Sequence, residues 1–114
     1  MIVDAIINYL NNSDLGIPAF AEIPKQGVPE EFIIIEQTGS PQENQIDRST
    51  IVTRSYAQSM ERAADLAYDL DYIMMNDLLE MDLVSGVKRN TIANFTDLTT
   101  KQYRYQNVYV ITHY

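Results

Sequence analysis

Carboxylates are the most numerous groups in this sequence that could carry out chemistry. Asp69 and Asp71 have the Asp-x-Asp spacing of a metal-binding pair, and Glu36 and Asp47 could form a pair for acid–base catalysis. Residues two apart on a helix point about 200° away from each other, so Asp69 and Asp71 cannot clamp one ion. No further partner and no pocket are implied around Glu36 and Asp47. The carboxylates therefore predict neither a metal site nor a catalytic acid and base.

A single histidine and the absence of cysteine limit the remaining chemistry. Disulfides, thiolate metal sites and cysteine nucleophiles are excluded, and zinc or Ser-His-Asp chemistry normally needs more than His113. We expect His113, near the end of the chain, to be exposed or to face a partner rather than to act in catalysis. The four glycines are not clustered into a phosphate-binding loop. We therefore predict no catalytic residue, no cofactor and no bound metal, and hence a protein that is not an enzyme.

Three acidic residues, Glu61, Asp65 and Asp69, are spaced four apart and share one face of a predicted helix. Like charges at this spacing repel each other by a few tenths of a kcal/mol, so the stripe is slightly unfavourable for the isolated helix. The ordinary interpretation is the solvated face of an acidic protein. The alternative is a surface that meets another subunit in an assembly.

The overall charge is strongly negative. Sixteen acidic and eight basic residues give a formal net charge of −8, so we expect no sequence-specific binding of nucleic acid against this field. The apolar start of the chain carries Asp4 and no basic residue, unlike a signal peptide. Because no apolar run approaches the roughly 18 residues of a membrane span, we expect a soluble protein with no membrane partner.

Hydrophobic periodicity predicts one short helix and three strands in the first half of the chain. The helix covers residues 1–11, and a strand at Ile17–Ile23 contains Pro18, which places it at a sheet edge. Phe32–Ile35 is apolar on both faces, as in a strand covered on both sides. We expect a long polar loop from Thr38 to Ser49, followed by a strand at Thr50–Ala57.

A long helix and two strands are predicted in the second half. Ser59 can cap the helix, and an apolar stripe at helical spacing follows it. The stripe comprises Met60, Ala63, Ala64, Ala67, Leu70, Met74, Leu78 and Met81. After Gly86 we expect an outer strand at Val87–Phe95, a turn, and a strong final strand at Tyr103–Tyr114.

These elements predict an α+β fold in one domain over residues 1–114. The order α-β-β-β-α-β-β favours a mostly antiparallel sheet of about five strands, with a long and a short helix packed on it. A chain of 114 residues that is 46% hydrophobic can bury one such core. Tyr103, Tyr105, Tyr109 and Ile111 share one face of the last strand, which we expect to lie in the core or in a subunit interface.

The segment from Pro24 to Leu70, with the last hairpin, resembles a known family of virion proteins. The matching residues are Pro24, Pro29, Phe32, Glu36, Gly39, Asp47, Tyr56, Ala57, Ser59, Ala63, Leu66 and Ala67, and later Asp97 and Tyr103-Arg104-Tyr105. In this order they resemble the phage tail-terminator family (tail-completion, head–tail joining or minor tail proteins). The chain has Gly39-Ser40 where the family often has Gly-Gly, and Tyr56 where it often has Trp.

The resemblance implies a structural role in the virion. Such proteins form a ring, typically hexameric, on the finished tail tube at its head-proximal end. The ring stops polymerisation of the tube protein and offers a surface to the head–tail connector. Assembly would take place in the host cytoplasm, and a negative lumen would let DNA pass without adhering.

A ring needs heterologous contacts, in which one patch meets a different patch on the neighbouring copy. We expect the polar loop and the last hairpin to supply them, with three arginines pairing with the acidic face of Glu61, Asp65 and Asp69. The candidate interface residues are Glu43, Asp47, Arg48, Arg54, Arg104 and Tyr105.

Two other functions remain open on the sequence. One is a different neck component, such as a head-completion or stopper protein. The other is a small acidic inhibitor or immunity-type module that binds one partner in a one-to-one complex.

Overall fold

The computed structural model describes residues 2–39, 42–43 and 46–114. Two α-helices, six strands and one short 3₁₀ helix occupy these residues. In chain order they are α1 (Ile2–Asn11), β1 (Ala19–Phe20), β2 (Phe32–Gly39), β3 (Gln42–Glu43), β4 (Ile46–Ala57), α2 (Met60–Met75), the 3₁₀ helix (Asp77–Glu80), β5 (Val84–Asn94) and β6 (Tyr103–His113).

The strands form one mixed sheet in the order β1-β2-β4-β6-β5, and β3 pairs with β4 beside this row. β1 runs parallel to β2, and the other pairings are antiparallel. The predicted fold class is confirmed: a mostly antiparallel sheet carries a longer and a shorter helix. The final strand, β6, lies between β4 and β5 in the row, which agrees with its density of β-branched and aromatic residues.

The predicted loop from Thr38 to Ser49 is wrong at both ends. β2 continues through Thr38 to Gly39, and β4 begins at Ile46. The polar residues at the start of β4 are held in extended form because β6 pairs with them as far as Asp47, which lies opposite His113. Low apolar content therefore marked a polar part of the sheet instead of a loop. Ser40, Pro41, Asn44 and Gln45, which also belong to the predicted loop, lie outside the described residues.

The predicted edge strand is present but much shorter than Ile17–Ile23. Only Ala19 and Phe20 pair with β2. The free edge of Ala19 is occupied by the amide of Asn11, which donates to the Ala19 carbonyl (3.1 Å) and accepts from the Ala19 N–H (2.8 Å). The end of α1 thus takes the place of a further strand and satisfies both backbone groups of Ala19.

The long helix begins where the sequence predicts and ends earlier. The hydroxyl of Ser59 accepts from the Arg62 N–H at 3.1 Å and caps α2. The helix stops at Met75, and the chain continues in the 3₁₀ helix, so Met81 lies outside α2. Met60, placed in the apolar stripe by its spacing, is exposed at the first turn. No helix in the described part of the chain is long and apolar enough to cross a membrane.

Both helices pack on the same face of the sheet. The main core joins Ile6 and Leu10 of α1, Leu70 of α2, and Tyr109 and Ile111 of β6. This confirms that the tyrosine-bearing face of the last strand lies inward.

The small residues of α2 let the helix approach the sheet closely. Ala63 and Ala67 are fully buried, and the Ala67 carbonyl accepts a hydrogen bond from the side chain of Asn107 on β6. Ala64, on the same helix, is only partly buried. Contact at Ala67 therefore sets the distance between α2 and the sheet.

We predict that Ala67→Leu lowers the free energy of unfolding by about 1–3 kcal/mol, because the added carbons must displace the helix from β6. The matched variant Ala64→Leu should change it by no more than about 0.5 kcal/mol. Urea unfolding followed by circular dichroism measures both. Equal losses in the two variants would show that close packing at Ala67 is not what positions α2.

Candidate interaction surfaces

The side of the sheet that faces away from both helices is here called the open face. Side chains alternate along β4 and β6, so every second residue belongs to it. Ile51 and Tyr109 lie opposite each other on the helix side, and their neighbours Val52 and Val108 lie opposite each other on the open face. The central open-face residues are Arg48, Thr50, Val52, Arg54 and Tyr56 on β4 and Arg104, Gln106, Val108, Val110 and Thr112 on β6.

Arg54 lies across three strands of the open face. Its Nη1 contacts the Glu36 carboxylate on β2 at 2.8 Å, and its Nε donates to the Gln106 side chain on β6 at 3.2 Å. An exposed ion pair of this kind contributes at most about 1 kcal/mol to stability. Its main effect is to hold the Arg54 guanidinium between Glu36 and Gln106, and Glu36 compensates part of the guanidinium charge.

Arg104 belongs to a ladder of aromatic rings that crosses the sheet. Its guanidinium lies 5.1 Å from the ring centre of Phe95 and 5.9 Å from that of Tyr56. Tyr56 stacks on Phe32 at 4.5 Å, and Phe32 meets Phe20 edge-on at 6.4 Å. The ladder places one side chain on β1, β2, β4 and β6, and Phe95 directly after β5. It stabilises one end of the open face and fixes Arg104 there.

Arg48 and Lys88 lie toward the other end of the open face. Both side chains are exposed, and no ion pair or side-chain hydrogen bond joins either of them to the described residues. Lys88 lies opposite Val110, and Arg48 lies opposite Thr112. With Arg54 and Arg104, they place four of the chain's eight basic residues on this face. Among the side chains that the structure describes, Glu36 is the only carboxylate on the strands of this face.

The helix side has the opposite charge. Residues 2–17 and 60–83, which contain both α-helices and the 3₁₀ helix, include nine acidic residues and one basic residue, Arg62. Their formal charge of −8 equals that of the whole chain, because the remaining segments contain seven acidic and seven basic residues. The net charge of the protein therefore resides in its helix layer.

The predicted acidic stripe is exposed on α2 and includes two tyrosines. Tyr68 and Tyr72 are 60% and 64% exposed. Together with Glu61, Asp65 and Asp69 they occupy an arc of about 100° around the helix. We call these five residues the acidic face of α2. Exposed tyrosine is common at protein interfaces, since it offers a large rigid ring with a polar tip.

Nearby carboxylates contribute to raised pKa values of two groups in the helix layer. The side-chain hydrogen bond to Glu31 raises the pKa of Arg62, and the charges of Asp65 and Asp69 raise it further. Burial raises the pKa of Tyr9, and the charges of Glu80 and Asp77 add to that effect. Arg62 makes two contacts with the Glu31 carboxylate, so the one cation of the helix layer is already paired.

Asp71 is the one carboxylate of α2 that turns toward the sheet. It accepts a hydrogen bond from the Tyr109 hydroxyl at 2.8 Å and forms an ion pair with Arg89. Burial, and then the hydrogen bond to Asp71, raise the pKa of Tyr109 far above its ordinary value, so the hydroxyl stays protonated and donates. Sequence analysis missed this role, although Asp71 lies outside the acidic stripe, between the buried residues Leu70 and Ile73.

His113 is buried, so the prediction of an exposed or partner-facing histidine is wrong. Its Nε2 lies 2.7 Å from the hydroxyl of Ser49, which also accepts from Gln37 at 3.1 Å. His113 is the last residue of β6, which pairs with β4 on one side and with β5 on the other. A serine next to a histidine resembles a nucleophile and its base. Ser49 is fully buried, however, so a substrate does not reach its hydroxyl in this structure.

A groove of about 730 Å³ opens at the end of the sheet, between the segment around Val28 and the turn after β5. Its walls include Phe32, Tyr103 and Asp97. Hydrogen bonds from Thr100 and Thr99 lower the pKa of Asp97, which keeps its carboxylate ionised and unsuited to donate a proton near neutral pH. No group of three metal-ligating side chains lies together in the part of the chain that the structure describes.

Some of the predicted interface residues lie on the same face of the sheet, and others do not. Arg48, Arg54 and Arg104 share the open face. Tyr105 points to the helix side, where it packs against Ala63 and Leu66, because successive strand residues face opposite ways.

The two acidic residues predicted beside them are described only by their backbone. Glu43 lies opposite Ile46, and Asp47 lies opposite Gln42 and His113. Glu36 lies opposite Val52, about 17 Å along β4 from Asp47. The strand register therefore separates Glu36 from Asp47, and Glu36 forms an ion pair with Arg54 instead.

Comparisons with models of known protein families and with curated protein sequences find no match for this chain.

We predict that Asp71→Ala lowers the free energy of unfolding by about 1–3 kcal/mol, because the buried Tyr109 hydroxyl loses its acceptor. Asp69→Ala removes the same group two residues away from an exposed position, and its effect should stay within about 0.5 kcal/mol. Chemical unfolding of both variants measures the difference. A result in which the two substitutions cost the same would mean that the contact between Asp71 and Tyr109 does not hold α2 on the sheet.

Proposed function

We propose that this protein is a structural component of a bacteriophage tail. It assembles with copies of itself into a ring that caps the tail tube, and the family it resembles implies six subunits. The cap halts polymerisation of the tube protein and presents a surface to the head–tail connector.

The residues that carry the resemblance support this function through their structural roles. Phe32 and Tyr56 stack on each other, Ser59 caps α2, and Ala63 and Ala67 bring that helix onto the sheet. They form the framework of the fold, and none of them supplies a reactive group. A family that shares them shares an architecture, as expected for an assembly protein.

The observation that carries the proposal is the separation of charge. A ring of identical subunits needs two different patches that complement each other on every copy. The helix layer holds the net charge of −8, and the open face holds four basic side chains on the other side of the sheet. The surface of one copy is therefore complementary to the opposite surface of another.

The same separation favours a second candidate, an acidic inhibitor-type module. A helix layer of charge −8 could bind the basic site of one partner in a one-to-one complex. Such a module needs no contact between its own copies. Stoichiometry therefore distinguishes the two functions.

Tail-tube assembly gives the direct test. The purified chain is added in increasing amounts to polymerising tail-tube protein encoded in the same genome, and tube lengths are measured by negative-stain electron microscopy. We expect the mean tube length to fall as the ratio of chain to tube protein rises, with a ring at one end of each arrested tube. The heat-unfolded chain at the same concentration is the control. Tubes that grow to the same length with and without the folded chain would contradict the proposed function.

A further inference from the structure

The open face has an apolar centre between its charged ends. Val52 is buried, and Val108 and Val110 are half-buried, although both α-helices pack on the opposite side of the sheet. Arg54 and Arg104 lie toward one end of this centre, and Arg48 and Lys88 lie toward the other. An apolar patch with a charged rim has the organisation of a protein interface.

We infer that the acidic face of α2 of one copy docks on the open face of the next copy. The charges of the two surfaces select this partner. Contact between two helix layers would bring two charges of −8 together, and contact between two open faces would bring cation against cation. Only contact between unlike surfaces brings the carboxylates to the basic side chains.

The open face is large enough to receive α2. α2 has 16 residues and is about 24 Å long. β6 has 11 residues, so the open face is about 37 Å long, and its four long strands are about 19 Å across. A helix is about 10 Å wide with its side chains, so α2 fits on this face along its whole length.

The spacing of the aromatic side chains also agrees with that of the apolar centre. Tyr68 and Tyr72 are four apart on the helix, so they lie about 6 Å from each other. Val108 and Val110 are two apart on β6, and their side chains repeat at about 6.8 Å. The tyrosines can therefore cover the half-buried valines while Asp65 and Asp69 reach toward the cations at the rim.

A contact between opposite sides of the molecule is heterologous, and it repeats until the chain of subunits closes into a ring or grows as a filament. This contact would build the ring of the proposed function, so the biological role of the contact rests on that proposal. It is nevertheless a property of the purified chain alone, without tube protein.

Charge-reversal variants test this contact by sedimentation velocity at low salt. Asp65→Lys with Asp69→Lys reverses the acidic face, and Arg48→Glu with Lys88→Glu reverses the open face. Each double variant should self-associate at least about tenfold more weakly than the wild type. The variant that carries all four substitutions should regain assembly, because its two faces are again complementary. All four positions are exposed, and circular dichroism verifies that each variant is folded.

The double variants and the four-fold variant together separate this contact from symmetric ones. If helix layers met helix layers, or sheets met sheets, only one of the two double variants would change assembly, and the four-fold variant would behave like that one. An equimolar mixture of the two double variants is a second test of the same contact, and we expect it to assemble as well. Asp4→Lys with Asp82→Lys changes the net charge equally, away from both faces, and should leave the assembly contact intact.

A wild type that stays monomeric at all concentrations, or a four-fold variant that does not recover, overturns the inference. These results are distinguishable from failure of the proposed function. If tubes keep growing while the four-fold variant regains self-association, tail termination is rejected and the contact between copies is supported. If tubes are capped while the four-fold variant does not regain self-association, the contact is rejected and tail termination is supported.

Discussion

β4 and β6 pair antiparallel over eleven residue positions, from Asp47 opposite His113 to Ala57 opposite Tyr103, and the two faces of the molecule follow from that register. From Arg48 onward in β4, and along β6, odd-numbered residues lie toward the helices and even-numbered residues lie on the open face. A slip of β4 by one residue would exchange its two sets of side chains, so that Arg54 would point inward and Ile51 outward. The placement of Ile51, Tyr109 and Ile111 on one side of the sheet, and of Arg48, Arg54 and Arg104 on the other, is thus a consequence of one strand pairing.

The second constraint is the orientation of α2 on this sheet. Burial of Ala63 and Ala67 brings the helix close, and the Asn107 side chain reaches the Ala67 carbonyl at 3.0 Å. The contact between Asp71 and Tyr109 fixes the rotation of the helix about its own axis. Because these contacts lie on one side of α2, the carboxylates and tyrosines on the other side must face solvent. The buried contacts of Ala67 and Asp71 therefore determine the direction in which the acidic face of α2 points, although neither residue is part of the proposed interface.

Much of the fold could be predicted from the sequence where one periodicity was strong. The alternation of β6 and the apolar stripe of α2 gave their positions, and Ser59 marked the start of the helix. The strand residues between Thr38 and Ser49 could not be assigned in this way, because the pairing of Asp47, Arg48 and Ser49 with β6 is a long-range interaction that holds polar residues in a strand. His113 was placed wrongly for a similar reason, since its ring contacts Ser49, which is 64 residues away in the sequence.

The candidate surfaces were predictable only in part. The spacing of Glu61, Asp65 and Asp69 indicated their shared face without the structure. That Arg48, Arg54 and Arg104 would also share a face depended on the alignment of β4 with β6, which spacing along one strand does not reveal. The role of Asp71 required knowledge that Tyr109 lies beneath it.

The absence of cysteine from the chain allows the most direct measurement of the contact between copies. Tyr68→Cys on the acidic face and Val108→Cys on the open face are purified separately, mixed in equal amounts and exposed to mild oxidation. Heterologous docking predicts a disulfide-linked dimer in the mixture, containing one copy of each variant, and little cross-linking of either variant alone. Cross-linking of each variant to itself, as efficient as in the mixture, or no cross-linking in any sample, would contradict the account.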